Sequence, residues 1–171
     1  MVSRVNARVR IRTAREEDVE GVFHLIRALA DYEGLSHQVV GDAETLQGHL
    51  FGERPYAEVL VAEEVDRIVG FALFFHSYST FLTRPGLYLE DLFVLPDDRG
   101  RGIGTALIQQ VAKIAVERKC GRVEWAVLDW NAPAIAFYEK IGASVLPDWR
   151  ICRVSDRPLQ NLASSRIFTG K

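Results

Sequence analysis

Cysteine is nearly missing: Cys120 and Cys152 are the only two, and neither lies in a Cys-x-x-Cys pair or a Cys/His cluster. That excludes a disulfide framework and a thiolate metal site, and it suits a reducing compartment. The four histidines, His24, His37, His49 and His76, have no metal-ligand spacing and read as surface or packing residues, so no metal is expected. There is no long basic run, and the net charge is −2 with a pI near 6.1. This argues against nucleic acid as a partner. No apolar stretch reaches the roughly 20 residues that a bilayer requires. The opening Met-Val-Ser-Arg has no signal-peptide core. A cytoplasmic protein without membrane contact is therefore expected. Repeats, linkers and low-complexity segments are also missing. A chain of 171 residues, 48% hydrophobic, suits one globular domain over 1–171, with a core of about 8–155 and a tail of 156–171.

What is present centres on one stretch, Leu87-Tyr88-Leu89-Glu90-Asp91-Leu92-Phe93-Val94-Leu95-Pro96, followed by Asp97-Asp98-Arg99-Gly100-Arg101-Gly102-Ile103-Gly104-Thr105. The apolar run between Gly86 and Pro96 reads as a buried strand. Glu90 and Asp91 interrupt it. Strict alternation points them to opposite faces, and ionised carboxylates in an apolar strand need a cleft or a partner. The glycines and arginines then open a helix through Ala106, Leu107, Ile108, Val111, Ile114 and Ala115. First-turn amides lack internal partners and the dipole is positive there. With Arg99 and Arg101 adding charge, this is a cradle for an anion such as a pyrophosphate. A dinucleotide fingerprint fails because Thr105 holds its third glycine position, and no Gly-Lys-Ser/Thr of a P-loop follows.

Elsewhere, residues 4–12 alternate as a half-exposed strand, and Thr13-Ala-Arg-Glu16 has the capping-box pattern. Helical spacing from Val19 runs to about Tyr32 and stops near Gly34, and Asp42 can cap a shorter helix through Leu50. Residues 58–64 and 68–77 should pair as a hairpin about Val65-Asp66-Arg67, with 78–86 as a loop. Residues 122–128 read as a strand, Pro133 suits a first helical turn, and 144–146 and 150–154 read as short terminal strands. From Leu159 the pattern is weak.

The block Trp130-Asn131-Ala132-Pro133-Ala134-Ile135-Ala136-Phe137-Tyr138-Glu139-Lys140-Ile141-Gly142-Ala143, together with Arg99-x-x-Gly102-x-Gly104, resembles the GNAT acetyltransferase superfamily. Tyr88-Leu-Glu-Asp-Leu-Phe-Val94 and Asp31-Tyr-Glu33 resemble its diamine (spermidine/spermine-type) N-acetyltransferase branch. The resemblance implies an α/β (α+β) single-domain fold. Its central mixed, mostly antiparallel sheet would have splayed middle strands, flanked by helices.

It also implies acetyl-CoA as co-substrate and a small primary amine as acceptor: a diamine, a polyamine or a lysine-like amino acid such as thialysine. Leu92, Phe93 and Val94 would pair with the pantetheine. Gly100, Arg101, Gly102, Ile103, Gly104 and Thr105, with Arg99, would hold the pyrophosphate, while Asn131, Ala134 and Tyr138 would line the cofactor's arm. Glu90 is the candidate base, directly or through water, since an alkylammonium must lose a proton before attack. Tyr138 is the candidate acid for the leaving thiolate. Tyr32, Glu33, Glu90 and Asp91 would bind the amine, and a homodimer is expected. Structural alternatives stand beside these: Asn131 as a helix cap, Tyr138 as core filling, Glu90 as a salt-bridged carboxylate, Glu33 as a solvated residue at a helix end, Asp91 as the partner of an arginine across a dimer. The chain departs from the branch at Ser79, where the diamine enzymes carry aspartate, and at Ile141, where they carry arginine. Competing functions are a protein-lysine acetyltransferase and a non-catalytic acyl-CoA-binding module.

Overall fold

The computed structural model describes residues 9–164. They divide into two compact units, one through Leu128 and one from Asp129. The first unit holds a five-stranded sheet in sequential order: β1 (Val9–Thr13), β2 (Glu58–Glu64), β3 (Arg67–Ser79), β4 (Arg84–Val94) and β5 (Val123–Glu124). The first three pairings are antiparallel and β4–β5 is parallel. Three helices belong to this unit: α1 (Val19–Glu33), α2 (Ala43–Phe51) and α3 (Ile103–Glu117). Residues 4–8 of the expected first strand lie outside the described residues.

Local chemistry explains most element ends. Gly34 closes α1 in the left-handed region at φ 72°, and the Asp42 carboxylate caps α2 by accepting the Thr45 amide at 2.7 Å. The β2–β3 hairpin turns on two residues, Val65 and Asp66, both at positive φ (46° and 59°), which is the mirror-image turn that matches strand twist. The capping box expected from Thr13 and Glu16 does not form. Glu16–Asp18 makes a 3-10 turn instead, and Asp18 accepts the Arg15 amide at 2.7 Å. Asp18 is drawn there by Arg12, which grips it at 2.5 and 2.9 Å and reaches Glu63 at 2.6 Å. That contact holds the Asp18 carboxyl below the usual carboxylate range.

Alternation along the strands divides the sheet. Val59, Val61, Phe71 and Phe93 pack with Val22 and Leu25 of α1 and Leu50 of α2. The intervening Leu60, Ala72, Phe74, Leu87 and Leu89 are buried toward the other face, where α3 contributes Ile103, Leu107, Ile108 and Val111. Each such aliphatic or aromatic side chain contributes about 1.5–3 kcal/mol on burial. Gly70 has a steric reason: a Cβ there would stand 2.8 Å from the Phe93 carbonyl oxygen. Gly70→Ala should therefore push β3 from β4 and lower stability by about 1–3 kcal/mol, measured as a drop in Tm.

Two expectations need correction. The strand over 122–128 contracts to Val123–Glu124, because β5 meets β4 only at Leu87 and Tyr88 and a strand needs a ladder partner. The 78–86 loop shortens, since β3 and β4 continue to Ser79 and Arg84.

The second unit contains α4 (Ala132–Lys140) and α5 (Asp156–Ser164). Pro133 sits in the first turn of α4, as expected. The strands expected at 144–146 and 150–154 are absent. These residues pair in no ladder, and Val145, Leu146, Trp149, Ile151 and Val154 are exposed. Of the segment read as patternless from Leu159, residues 159–164 lie in α5. Among the described residues no helix is long and apolar enough to cross a membrane.

Candidate active site

The site in the first unit is built on an irregularity in β4. Leu73 faces Asp91 across the ladder and Phe74 faces Leu89, so Glu90 is an extra residue in a β-bulge. The bulge shifts the phase of the strand. Tyr88 opposite Phe75, Asp91 opposite Leu73 and Phe93 opposite Phe71 then share one face, the side covered by α1. Strict alternation would set Glu90 and Asp91 on opposite faces; that expectation is corrected here. The two carboxylates are electrostatic neighbours instead. Asp91 is half-buried and its carboxyl is pushed up to about 7, by burial first, then by Glu90 and by Glu33 at the end of α1. Burial also raises Glu33. Glu90 itself is exposed. Burial raises the Tyr88 hydroxyl, with Glu90 and Glu124 adding to it. Tyr88 was not among the expected site residues. Its signal is its spacing, two before Glu90, together with a β5 partner in Glu124.

Among the described residues, no strand pairs with this edge of β4 beyond Tyr88, so the edge is open there. The Leu95 amide donates to the Val69 carbonyl at 2.9 Å. Antiparallel alternation then turns the peptide groups of Phe93 toward β3 and those of Leu92 and Val94 outward. Of the three residues expected to pair with a linear amide, Leu92 and Val94 present groups to the open edge and Phe93 does not. Phe93 instead fills the core beneath α1.

At the end of β4 the chain makes a 3-10 turn, Pro96–Asp98, and enters α3 through Gly100 and Gly102 at φ 75° and 82°. Gly102 caps the helix and the first helical amide donor is Ala106, so the amides of Ile103, Gly104 and Thr105 precede it. No acidic residue stands in that first turn. The two arginines differ. Arg101 is locked to Asp98 at 2.6 Å and to Glu64 at 2.5 Å, and Arg67 joins buried Asp98 at 3.1 Å. This network spends the Arg101 charge inward and fixes the loop. Arg99 has no ion pair with any described residue. Its Nε donates to the Val94 carbonyl at 3.0 Å, and its guanidinium lies over the rings of Tyr32 (4.5 Å) and Phe93 (5.5 Å). Ser79, where the branch carries aspartate, is buried and its hydroxyl accepts the Leu82 amide at 3.2 Å, serving the β3–β4 turn.

In the second unit, the Asn131 side chain caps α4 by accepting the Ala134 amide at 3.3 Å. The Tyr138 ring lies 5.2 Å from that of Phe137, and its carbonyl accepts the Ala143 amide at 3.0 Å. Ile141 ends the helix.

Comparison with known proteins completes the description. The profile of the Acetyltransferase (GNAT) family matches residues 24–143. Thialysine N-epsilon-acetyltransferase of Mus musculus is 40% identical over 168 residues, covering 92% of this chain and 98% of its own. L-ornithine N5-acetyltransferase NATA1 of Arabidopsis thaliana is 35% identical, covering 92% and 89%. The solved integron cassette protein VCH_CASS6 of V. cholerae aligns with a TM-score of 0.78 at 27% identity, covering 94% of this chain and all of that one. With a family match across most of its length and these relatives along nearly all of it, the chain belongs to the GNAT family of N-acetyltransferases.

Proposed function

We propose that the protein moves an acetyl group from acetyl-CoA to the terminal amine of a lysine-like or ornithine-like amino acid or short diamine. The observation that carries this reading is the pairing of Glu90 and Asp91 on one face of a bulged strand, beside an open backbone edge and an acid-free helix N-terminus. The substrate class is that in the names of the mouse and plant relatives. An ammonium enters among Glu33, Glu90 and Asp91 and gives its proton to the Glu90–Asp91 pair. The freed nitrogen attacks the thioester carbonyl, the C–N bond forms, and the C–S bond breaks. The family resemblance gives Tyr138 the role of protonating the departing thiolate. Both substrates are bound together, since no cysteine lies in the motif blocks for an acyl-enzyme. Backbone of Leu92 and Val94 and the residues Gly100, Gly102, Ile103, Gly104 and Thr105 with Arg99 hold acetyl-CoA, and the family resemblance gives Asn131 and Ala134 a part in binding its arm. Arg101 acts by fixing the loop.

Residues 1–171 serve one acetyltransferase domain of a cytoplasmic protein. Its exposed Val145, Leu146, Trp149, Ile151 and Val154 support assembly as a homodimer. Light scattering at micromolar concentration should return the dimer mass. Initial-rate assays with acetyl-CoA should give a kcat/KM for thialysine or ornithine at least about tenfold above that for spermine. Where the branch carries aspartate this chain has buried Ser79, committed to the β3–β4 turn, and one carboxylate fewer is worth about 1–2 kcal/mol to a polycation. A spermine preference of that size would overturn the substrate class, and no acetylation of any amine would overturn the reading.

A further inference from the structure

We infer that Arg99 is a positioning residue that couples the acetyl-CoA loop to the amine pocket through Tyr32, so that each substrate tightens the binding of the other. This rests on the acetyl transfer proposed above and concerns how its two sites communicate.

Arg99 touches both. Its Nε holds the Val94 carbonyl, which faces the open edge of β4, and its guanidinium lies on the ring of Tyr32, the residue before Glu33 at the end of α1. Phe93, buried between these contacts, backs the guanidinium. The other loop arginine is held by Glu64 and Asp98 and cannot play this part. Stacking on an exposed ring and one bond to a neutral carbonyl hold a guanidinium modestly. A pyrophosphate offers charge-assisted, bidentate bonds that are stronger. An amide donor arriving at the Val94 carbonyl also competes for the oxygen that Arg99 now holds. Both demands draw Arg99 in one direction, from Tyr32 toward the phosphate.

The consequence reaches the amine. While Arg99 lies on Tyr32, its positive charge is held on the residue next to Glu33 at the end of α1. Its removal lets Glu33, Glu90 and Asp91 act on the ammonium without a competing cation. Linkage requires that the amine favour the cofactor by the same factor.

The test is titration calorimetry on the full chain, with CoA and thialysine as probes, each alone and each in the presence of the other. In the wild type, saturating CoA should lower the Kd for thialysine at least about fivefold, with the reciprocal effect on CoA. Arg99→Gln and Tyr32→Leu should each bring that ratio below about twofold. Tyr32→Leu should keep the affinity for CoA alone within about twofold, which a general collapse of the loop would not. Arg99→Lys, which keeps charge but loses planar stacking, replaces Arg99→Gln if that variant does not fold. A wild-type ratio near one, or a fivefold ratio surviving in the variants, overturns the coupling while leaving acetyl transfer intact. A wild type that neither binds CoA nor acetylates any amine is a different result, and it removes both readings.

Discussion

Plotted against pH, kcat/KM for the amine should fall with unit slope below about 7, where Asp91 takes up a proton. The upper limit should be the amine's own ionisation near ~10, since the carboxylates bind it as the ammonium. Asp91 is raised because burial and the charges of Glu90 and Glu33 all disfavour its ionised form. Above 7 it is ionised and can accept a proton; below 7 it is neutral, and the pocket has lost both a base and a negative charge. Asp91→Asn should lower kcat/KM by about 10²- to 10⁴-fold and erase the limb near 7. If the limb stays at 7 in Asp91→Asn, another group carries it.

The same shift has a sign for stability. A carboxyl whose folded pKa lies above its unfolded value, about 3.9, binds more protons in the folded state. Stability from this group is therefore present at low pH and declines as pH rises from about 4 to 7. Asp91→Asn removes the buried charge, so at pH 7.5 to 8 it should melt at or above the wild-type Tm, by about 1–2 kcal/mol in stability. Lower activity with equal or higher stability separates a functional carboxylate from a structural one.

Replacement of Gly102 by glutamate should cut acetyl-CoA affinity by at least about 100-fold in titration calorimetry. Three effects add. Gly102 stands at φ 82°, where a side chain brings strain of about 1–2 kcal/mol. It caps α3 directly before Ile103, Gly104 and Thr105, so the carboxylate lies at the positive end of the dipole that the pyrophosphate would use. It also sets a negative charge against a negative ligand. Gly102→Ala isolates the strain and should lose far less, and circular dichroism should show both variants folded. Unchanged affinity in folded Gly102→Glu would remove this loop as the phosphate site.

Much of this protein could be read from its residues in order. Helical spacing in α1 and α3, the stop at Gly34, the cap at Asp42, the hairpin joining β2 and β3 and the glycine-rich entry to α3 are local. Each depends on neighbours within a few positions, and the amide groups and glycines that cradle an anion are adjacent in the chain. The acidic pocket was legible as residue types, because Glu90 and Asp91 stand out in an apolar run. Their mutual geometry was not. A bulge is decided by how β3 and β4 register, and that register turned an expected opposite-face pair into neighbours, so that Glu90 adds to burial in raising the proton affinity of Asp91. The partners of the two arginines were equally hidden, since Glu64 is 37 residues from Arg101 in sequence. The strands expected at 144–146 and 150–154 had the right pattern, but pattern supplies no hydrogen-bond partner. A strand exists only where a second strand accepts its amides, and that is a property of the tertiary structure alone.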